Sequence, residues 1–136
     1  MSYGYGEYVN LSKMLGRVFV KIDREDESVT FHCDDGSKFV LAHEQDCCET
    51  VYLESVTGEL DDLLNNPILK ADENYSSDFP ADVEVPSFVD SVTWSFYDLA
   101  TIKGTVTLRW YGESNGYYGE TATLRFFEGP SAPMVN

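Results

Sequence analysis

The sequence is poor in basic residues. Nine lysines and arginines stand against 24 aspartates and glutamates, which gives a formal net charge of -15. A nucleic-acid binder needs basic side chains to neutralise phosphates, and an anionic membrane surface attracts the same side chains. The charge therefore argues against both partners. It is compatible with a basic protein surface, with a small ligand held in a local positive region, or with a charge that serves solubility alone.

Cysteine is scarce, and long apolar runs are missing. The chain has three cysteines, an odd number, and Cys47 and Cys48 are adjacent. This is not the pattern of a disulfide framework, and it predicts a protein of a reducing cytosol. No apolar run approaches the ~20 residues of a membrane span. The first residues, MSYGYGEYVN, also lack the basic and apolar segments of a secretory signal, so we expect a cytoplasmic protein.

Apolar and aromatic residues are plentiful. Apolar residues make up 43% of the chain and aromatic residues 14%, which is a globular composition. A chain of 136 residues is long enough to bury a core without crosslinks. We expect a single domain over residues 1–136, with an ordered core at about 14–127, a flexible N-terminal lead and a flexible C-terminal tail.

Short alternating segments predict most of the fold. The segment RVFVKID alternates as a half-buried strand does. Asp35 and Gly36 lie between two β-rich segments and are typical of a tight hairpin. Thr57 is a plausible N-cap for a short helix through GELDDLLNN, which Pro67 would end. The sequence therefore predicts an α+β fold, with a predominantly antiparallel β-sheet of about six to seven strands and one short helix.

The last two apolar segments suggest a hairpin whose register is decided by the buried face. A two-residue turn at Asn115 and Gly116 would place Trp110 opposite Thr121 and set apolar beside polar residues. A shift by one residue makes every apolar residue face another. The resulting pairs are Val106–Phe126, Leu108–Leu124 and Trp110–Ala122. We therefore predict the shifted register, with an odd-length loop or a glycine bulge near residues 114–118.

The opposite face of this hairpin would carry two arginines and a tyrosine. Guanidinium groups suit phosphate and carboxylate groups, and tyrosines add stacking surfaces and hydroxyl donors. The face is therefore a candidate site for a small nucleotide-like ligand. The alternative is that the arginines only pair with local acids such as Glu113 or Glu120. The candidate ligand-binding residues are Arg109, Tyr111, Tyr117, Tyr118 and Arg125.

The segment HEQDCCE, residues 43–49, brings a histidine, acids and adjacent cysteines together. We call it the polar corner, and its candidate residues are His43, Asp46, Cys47, Cys48 and Glu49. A zinc site has these ligand types, but zinc cysteines are separated so that they converge, whereas adjacent residues of a strand point to opposite faces. Cys33 or His32 would have to complete the set. We therefore predict no bound metal.

Three other interpretations of the polar corner stay open. Cys47 or Cys48 with His43 as base has the residue types of a nucleophilic site, but no oxyanion motif accompanies it. A redox pair of adjacent cysteines is the least favoured interpretation. The favoured one is a structural turn, in which Asp46 caps backbone N–H groups, one cysteine packs in the core and His43 finishes the preceding strand. P-loop, dinucleotide-binding, zincin and nucleophile-elbow motifs are lacking, so we assign no catalytic residue and no cofactor.

The strings HEQDCCETVYLE, GELDDLLNNPIL and TIKGTVTLRWYGESNGYYGE carry a resemblance. They resemble the signature blocks of a small uncharacterised family of bacteriophage and bacterial proteins, over roughly residues 14–127. The resemblance implies a phage or prophage origin and expression in the host cytoplasm. It implies no activity, because the family has none assigned.

Together these features favour a non-enzymatic phage accessory protein. It would bind and block a host protein through its acidic surface, or sequester a small nucleotide-like ligand. Two alternatives are a small metal- or cysteine-dependent enzyme that uses residues 43–49 and a structural or assembly protein. Edge strands of an open sheet also make a homodimer plausible.

Overall fold

The chain forms two antiparallel β-sheets in the computed structural model, which describes residues 6–86 and 90–129. The first sheet has five strands in the order β1-β9-β4-β3-β2, and the second has four in the order β5-β8-β7-β6. The strands are β1 (Glu7–Tyr8), β2 (Phe19–Arg24), β3 (Ser28–Cys33), β4 (Lys38–Ala42), β5 (Thr50–Thr57), β6 (Lys70–Ser76), β7 (Ser91–Thr101), β8 (Gly104–Ser114) and β9 (Thr123–Phe127). Within the described residues the helical elements are two 3-10 turns, Leu11–Met14 and Leu60–Leu63.

Alternating side chains turn one face of each sheet toward a common core. In β3 the buried residues are Val29, Phe31 and Cys33, and in β8 Leu108 and Trp110 are buried at the same spacing. These side chains belong to one hydrophobic cluster to which both sheets contribute. Removing their apolar surface from water is the main contribution that holds the two sheets together.

The predicted short helix is wrong, because this segment forms a single 3-10 turn. Glu59, rather than Thr57, precedes the turn, and no side chain caps it. Gly58 has a φ of +99°, and a Cβ at this position would lie 2.5 Å from the Thr105 carbonyl oxygen. The chain is therefore bent closely against β8 just before the turn. After the turn, Leu64 is extended and Asn65 has a φ of +65°, so the chain leaves the helical conformation before Pro67.

The predicted fold class is correct for the sheet and wrong for the helix. The strands are antiparallel, as expected. There are nine of them in two sheets, rather than six or seven, and the described part of the chain contains no α-helix. Predominantly antiparallel β is therefore the class, not α+β.

The predicted pairing of the last two long segments is also wrong. β8 pairs with β5 and β7 in the second sheet, whereas β9 pairs with β1 and β4 in the first. The predicted burial is confirmed for Leu108, Trp110, Ala122 and Leu124. Apolar residues of the two strands face the common core from opposite sheets. This arrangement produces the same apolar pattern as a hairpin would, so the pattern alone does not distinguish them.

Within the described residues, the chain crosses between the sheets at two neighbouring places. Residues 43–49 lead from β4 to β5, and residues 115–122 lead from β8 to β9. His43 Nδ1 lies 3.0 Å from the Thr121 carbonyl oxygen, so the two crossovers touch. The strings HEQDCC and SNGYYGE therefore lie where the two sheets are joined.

The N-terminal segment is packed from Glu7 onward. β1 pairs with β9, and Leu11 and Met14 are buried in the core. Residues 7–13 of the expected lead thus contribute to the first sheet and to the core. The expected flexible tail begins after residue 127, and its residues 130–136 lie outside the described residues, as do residues 1–5. None of the helical elements that the structure describes has the length and apolarity of a membrane-crossing helix.

Candidate functional site

The polar corner is closed around the carboxylate of Glu49. His43 Nε2 lies 2.7 Å from one carboxylate oxygen, and the backbone N–H groups of Asp46 and Cys47 donate to the carboxylate at 2.7 and 2.9 Å. The side-chain amide of Gln45 donates to the Glu49 carbonyl oxygen at 2.6 Å. The side chain of Glu49 is 0% exposed and that of His43 8%. The corner therefore uses its polar groups to hold its own turn.

Hydrogen bonds keep Glu49 charged in this buried position. Burial alone would raise its pKa, because it penalises the charged form. The hydrogen bonds from Cys47, His43 and Asp46 outweigh burial and lower the pKa to about 2. An ionised carboxylate only accepts, as does the carbonyl oxygen of Thr121 on the other side of the histidine ring. The His43 ring lies between these two acceptors, 2.7 Å from the Glu49 carboxylate and 3.0 Å from the Thr121 carbonyl oxygen, and so ties the two crossovers together.

The cysteines of the corner do not pack in the core as the favoured interpretation expected. Cys47 and Cys48 are both exposed and form a vicinal disulfide, with their Cα atoms 3.7 Å apart. The interpretation that the sequence favoured least is thus the arrangement in the structure. Cys33 is the buried free thiol, and burial is the main reason that its pKa is raised. The expected cap is different too, because Glu49 and not Asp46 accepts the backbone N–H groups.

The polar corner does not assemble a set of metal ligands. Among residues 6–86 and 90–129, no group of three or more histidine, cysteine or acidic side chains is arranged to hold a metal ion. His32, one of the residues that would complete a zinc set, instead pairs with Asp23 at 2.9 Å.

The outer face of the second sheet, which points away from the core, holds a different kind of site. Side chains alternate along β7 and β8, and the register places Trp94 opposite Tyr111 and Phe96 opposite Arg109 on this face. Tyr52 of β5 lies on the other side of Tyr111. Three strands therefore combine four aromatic rings and one guanidinium on a single surface.

Three of these rings and a fourth ring from the loop after β6 form a connected set of contacts, which we call the aromatic cluster. The cluster consists of Tyr52, Phe79, Trp94 and Tyr111. Phe79, from the loop after β6, lies 5.6 Å from Trp94 and 6.0 Å from Tyr111 between ring centroids. Trp94 and Tyr111 are 4.9 Å apart, and Tyr52 is 5.8 Å from Tyr111. These distances are typical of favourable aromatic pairs, so the loop is packed onto the sheet.

The aromatic cluster lines a cavity of about 300 Å³. Carboxylates share the lining, and they belong to Glu54, Glu84 and Glu113. Glu84 is exposed, and Glu113 accepts a hydrogen bond from the Tyr111 hydroxyl. Burial, followed by this contact with Glu113, raises the pKa of Tyr111, which keeps the hydroxyl protonated. The cavity thus combines apolar rings with negative charge.

Arg109 is held beside this cavity by two acids and a ring. Its Nε donates to Glu54 at 2.7 Å, and its two terminal nitrogens donate to the two oxygens of Asp82 at 3.2 and 3.1 Å. The guanidinium lies over the ring of Trp94, 5.2 Å from its centre. The hydrogen bonds to Arg109 lower the pKa of both carboxyls, and the two acids raise the pKa of the guanidinium. Arg109 therefore pairs with local acids, although not with the Glu113 and Glu120 that the sequence suggested.

Arg125 lies in the other sheet, so the predicted face with two arginines does not exist. Its Nη2 donates to the Tyr8 hydroxyl at 2.7 Å and lies 2.8 Å from a carboxylate oxygen of Glu44. The guanidinium also lies over the Tyr8 ring, 4.6 Å from its centre. The prediction was wrong here because it required β8 and β9 to be neighbours in one sheet.

Tyr117 and Tyr118, the remaining predicted ligand residues, lie in the crossover of residues 115–122. Their ring centroids are 5.0 Å apart, and Tyr117 is 83% exposed. The crossover is anchored below them by buried Glu120, which accepts hydrogen bonds from Thr93 at 2.8 Å and from Ser114. Burial opposes the charge of Glu120, but these hydroxyl donors keep its pKa below the ordinary value.

Fold and site define a two-sheet antiparallel β domain with a closed polar corner and an open aromatic, acidic face. The chain belongs to a family of unknown function. The family model, Domain of unknown function (DUF7448), matches residues 12–124, which include the polar corner and the aromatic cluster. No curated protein and no solved structure matches the sequence.

Several residues of the outer face were not found from the sequence. They are Tyr52, Glu54, Phe79, Asp82 and Trp94. The segment SVTWSFYDL contained a usable signal, because its alternation puts Trp94 and Phe96 on the face opposite Tyr97 and Leu99. A hairpin of β7 with β8 would then have placed Trp94 beside Tyr111. The loop residues carried no comparable signal.

Proposed function

We propose that this chain is a non-enzymatic accessory protein, of phage or prophage origin, that binds a basic host protein in the host cytoplasm and blocks it. The docking surface is the outer face of the second sheet. The observation that carries the proposal is the cavity of the aromatic cluster, which carboxylates surround while the nearby guanidinium is already neutralised by Glu54 and Asp82. The resemblance to phage proteins supports the origin.

The charge and the aromatic composition of this face suit a basic protein. A net charge of -15 attracts a cationic partner over long range and speeds encounter. Aromatic residues are enriched in protein interfaces because they supply a large contact area at a low entropic cost. Tyr52 is 37% exposed and Glu84 is exposed, so both are accessible to a partner.

The other candidate functions have less support. A nucleotide-like ligand would bring phosphates to carboxylates, and the hydrogen bonds of Arg109 go to Glu54 and Asp82. A cysteine-dependent enzyme at the polar corner would need a free thiol beside an accessible base, whereas Cys47 and Cys48 are joined in a disulfide and the side chain of His43 is 8% exposed and pairs with Glu49. A structural or assembly role is compatible with the fold but draws on no particular feature of it.

The proposal is tested by neutralising the acids of the cavity. Wild type and a Glu54→Gln, Glu84→Gln, Glu113→Gln variant are incubated with host lysate, and complexes are identified by native mass spectrometry. The wild type is expected to retain a basic protein that the variant loses. A matched control removes the same charge at exposed positions elsewhere, with Glu59→Gln, Asp61→Asn and Glu128→Gln. Equal loss in the control, or retention by the cavity variant, would contradict the proposal.

The nucleotide alternative has its own test. Wild type is titrated in a calorimeter with nucleotides and cyclic nucleotides, and we expect no binding. Binding that disappears in Arg109→Ala would favour the small-ligand function instead.

A further inference from the structure

We propose that the cavity of the aromatic cluster is a receptor for a single arginine side chain of the basic partner. This inference rests on the proposed function and specifies the chemical group that is recognised. Four observations support it: the size of the cavity, its aromatic rings, its carboxylates, and the neighbouring guanidinium of Arg109, which is held by a ring and carboxylates.

Arg109 demonstrates how this surface holds a guanidinium. The group lies over Trp94, 5.2 Å from the ring centre, and its edge donates to the acids on either side. Stacking on a ring together with forked hydrogen bonds to carboxylates is the combination that arginine forms and lysine does not. The adjoining cavity repeats these elements, with rings of Tyr52 and Tyr111 and carboxylates of other glutamates.

The cavity has the dimensions and charge for one more such group. Its volume of about 300 Å³ is at the lower end for ligand sites, so it accommodates a side chain rather than a large cofactor. Phe79 and Tyr111 line it and supply aromatic surface for a planar cation. Glu84 and Glu113 supply acceptors in the lining. An anion would be repelled by the same carboxylates.

Trp94 provides a spectroscopic probe at the cavity. The side chain lines the cavity and is 1% exposed, and its indole N–H has no hydrogen-bond acceptor. Buried N–H groups normally have a partner, and a lost one costs stability. The Trp94 side chain is therefore a built-in reporter for the cavity that it lines.

The test uses a blocked peptide with a single arginine between glycines, and matched peptides that contain lysine or citrulline. Citrulline has nearly the shape of arginine without its charge. Binding to the full chain is followed by NMR through the indole N–H of Trp94, and Trp110, buried in the core on the opposite face, is the internal reference. The arginine peptide is expected to shift the Trp94 signal and leave the Trp110 signal unchanged. Lysine is expected to bind several-fold more weakly, and citrulline is expected not to bind.

Two variants examine the rings and the charge separately. Tyr52→Ala removes a wall that is partly exposed, and Glu84→Gln removes an exposed acceptor, so neither should disturb the core. Each is expected to weaken the arginine peptide about three- to thirty-fold, the range for a cation–π or charged contact. Tyr117→Ala and Glu128→Gln, exposed residues outside the cavity, are the controls and should bind as the wild type does.

The failure of this inference is distinguishable from the failure of the proposed function. Equal binding of the lysine and arginine peptides, or no shift of Trp94, overturns the arginine receptor. If the lysate experiment still gives a basic partner that needs Glu54, Glu84 and Glu113, docking on this face stands without an arginine pocket. If neither experiment gives binding at this face, both proposals fall.

Discussion

The polar corner and the outer face of the second sheet each pair a nitrogen-bearing side chain with carboxylates, His43 with Glu49 and Arg109 with Glu54 and Asp82, but the pairs differ in access. In the corner, the side chains of His43 and Glu49 have almost no exposed surface, and the hydrogen bonds of these two side chains stay within the two crossovers. On the outer face, Arg109 is bound by acids of which Asp82 is 67% exposed, and a cavity opens beside it. Similar groups therefore serve to close the fold in one place and to present a surface in the other.

In this chain the residue types of a segment do not by themselves indicate its function. The corner concentrates histidine, cysteine and acids within seven consecutive residues, which is the pattern that a search for chemistry finds first. The buried polar groups of His43 and Glu49 are nonetheless used within the turn and in its contact with the neighbouring crossover. The outer face is assembled from three strands and a loop that are far apart in sequence. The exposure of the paired acids, 0% for Glu49 against 25% for Glu54 and 67% for Asp82, rather than residue type, distinguishes the two regions.

The largest expected effect comes from a substitution in β8 that would push the crossover of residues 115–122 away from the strand. A Cβ at Gly112 would lie 1.9 Å from the carbonyl oxygen of Glu120, which is backbone and cannot rotate away. Gly112→Ala should therefore lower the free energy of unfolding by about 3 kcal/mol or more, measured by urea denaturation. Gly119→Ala is the matched control, since no atom lies within 4 Å of its Cβ. A Gly112→Ala protein as stable as the control would contradict the close approach of the crossover.

The next effect concerns the charge inside the corner. The pKa of Glu49 is about 2 in the folded protein, against an ordinary value of 4.5. Between these values the unfolded chain binds the proton and the folded protein does not, so the stabilisation is complete above pH 4.5 and is lost as the pH falls toward 2. Glu49→Gln should be less stable at pH 7 and should lack this part of the acid-induced loss.

This pH profile is measured by thermal unfolding at pH 2 to 7, a range chosen to span the titration of acids. Glu128→Gln, an exposed acid of the same type, is the control and should keep the wild-type profile. A Glu49→Gln profile that runs parallel to the wild type would show that the carboxylate is not held as described.

A smaller effect is expected on the outer face. Arg109→Ala removes the contacts with Glu54, Asp82 and the Trp94 ring, and should lower stability by about 1 kcal/mol, as expected for a partly exposed ion-pair network. Arg109→Lys should restore only part of this loss, because lysine lacks the planar fork. The measurement is urea denaturation, with Arg24→Ala at an exposed position as control. Full rescue by lysine would mean that charge alone matters there.

The smallest effect is expected from the exposed cysteines. A Cys47→Ser, Cys48→Ser variant should differ from wild type by no more than about 0.5 kcal/mol, as exposed substitutions usually do. Cys33→Ser puts a hydroxyl in the core and should cost about 1 kcal/mol or more. Chemical denaturation of both variants gives the comparison. A larger loss for the exposed pair than for Cys33 would make the disulfide a principal support of the corner.

Much of the fold follows from the sequence because alternation reports burial directly. The alternation of VTLRW placed Leu108 and Trp110 inside correctly. It did not identify the neighbouring strand, because a core-facing residue gives the same alternation in the sequence whether its apolar neighbour is in its own sheet or across the core. The prediction of a shared face for Arg109 and Arg125 assumed that β8 and β9 are neighbours in one sheet. It is wrong because the two strands lie in different sheets.

The candidate site was less predictable than the fold, for physical reasons that differ between its two parts. In the corner, the acceptor of the backbone N–H groups was placed on Asp46 instead of Glu49, since either carboxylate can reach a nearby turn. On the outer face, Phe79 and Asp82 come from a loop without periodicity. Their contacts with Trp94 and Arg109 depend on the path of that loop over the sheet, which no local pattern encodes.

The most direct test of the account is a map of backbone amide shifts by two-dimensional NMR as the arginine peptide is added to the wild-type protein. If the outer face binds the arginine peptide, we expect the amide shifts to concentrate at Tyr52, Phe79, Trp94 and Tyr111, and the amide signals of residues 43–49 to stay unchanged. Shifts concentrated at the polar corner, with the outer face silent, would contradict it, because the region described as closed would then be the one that binds.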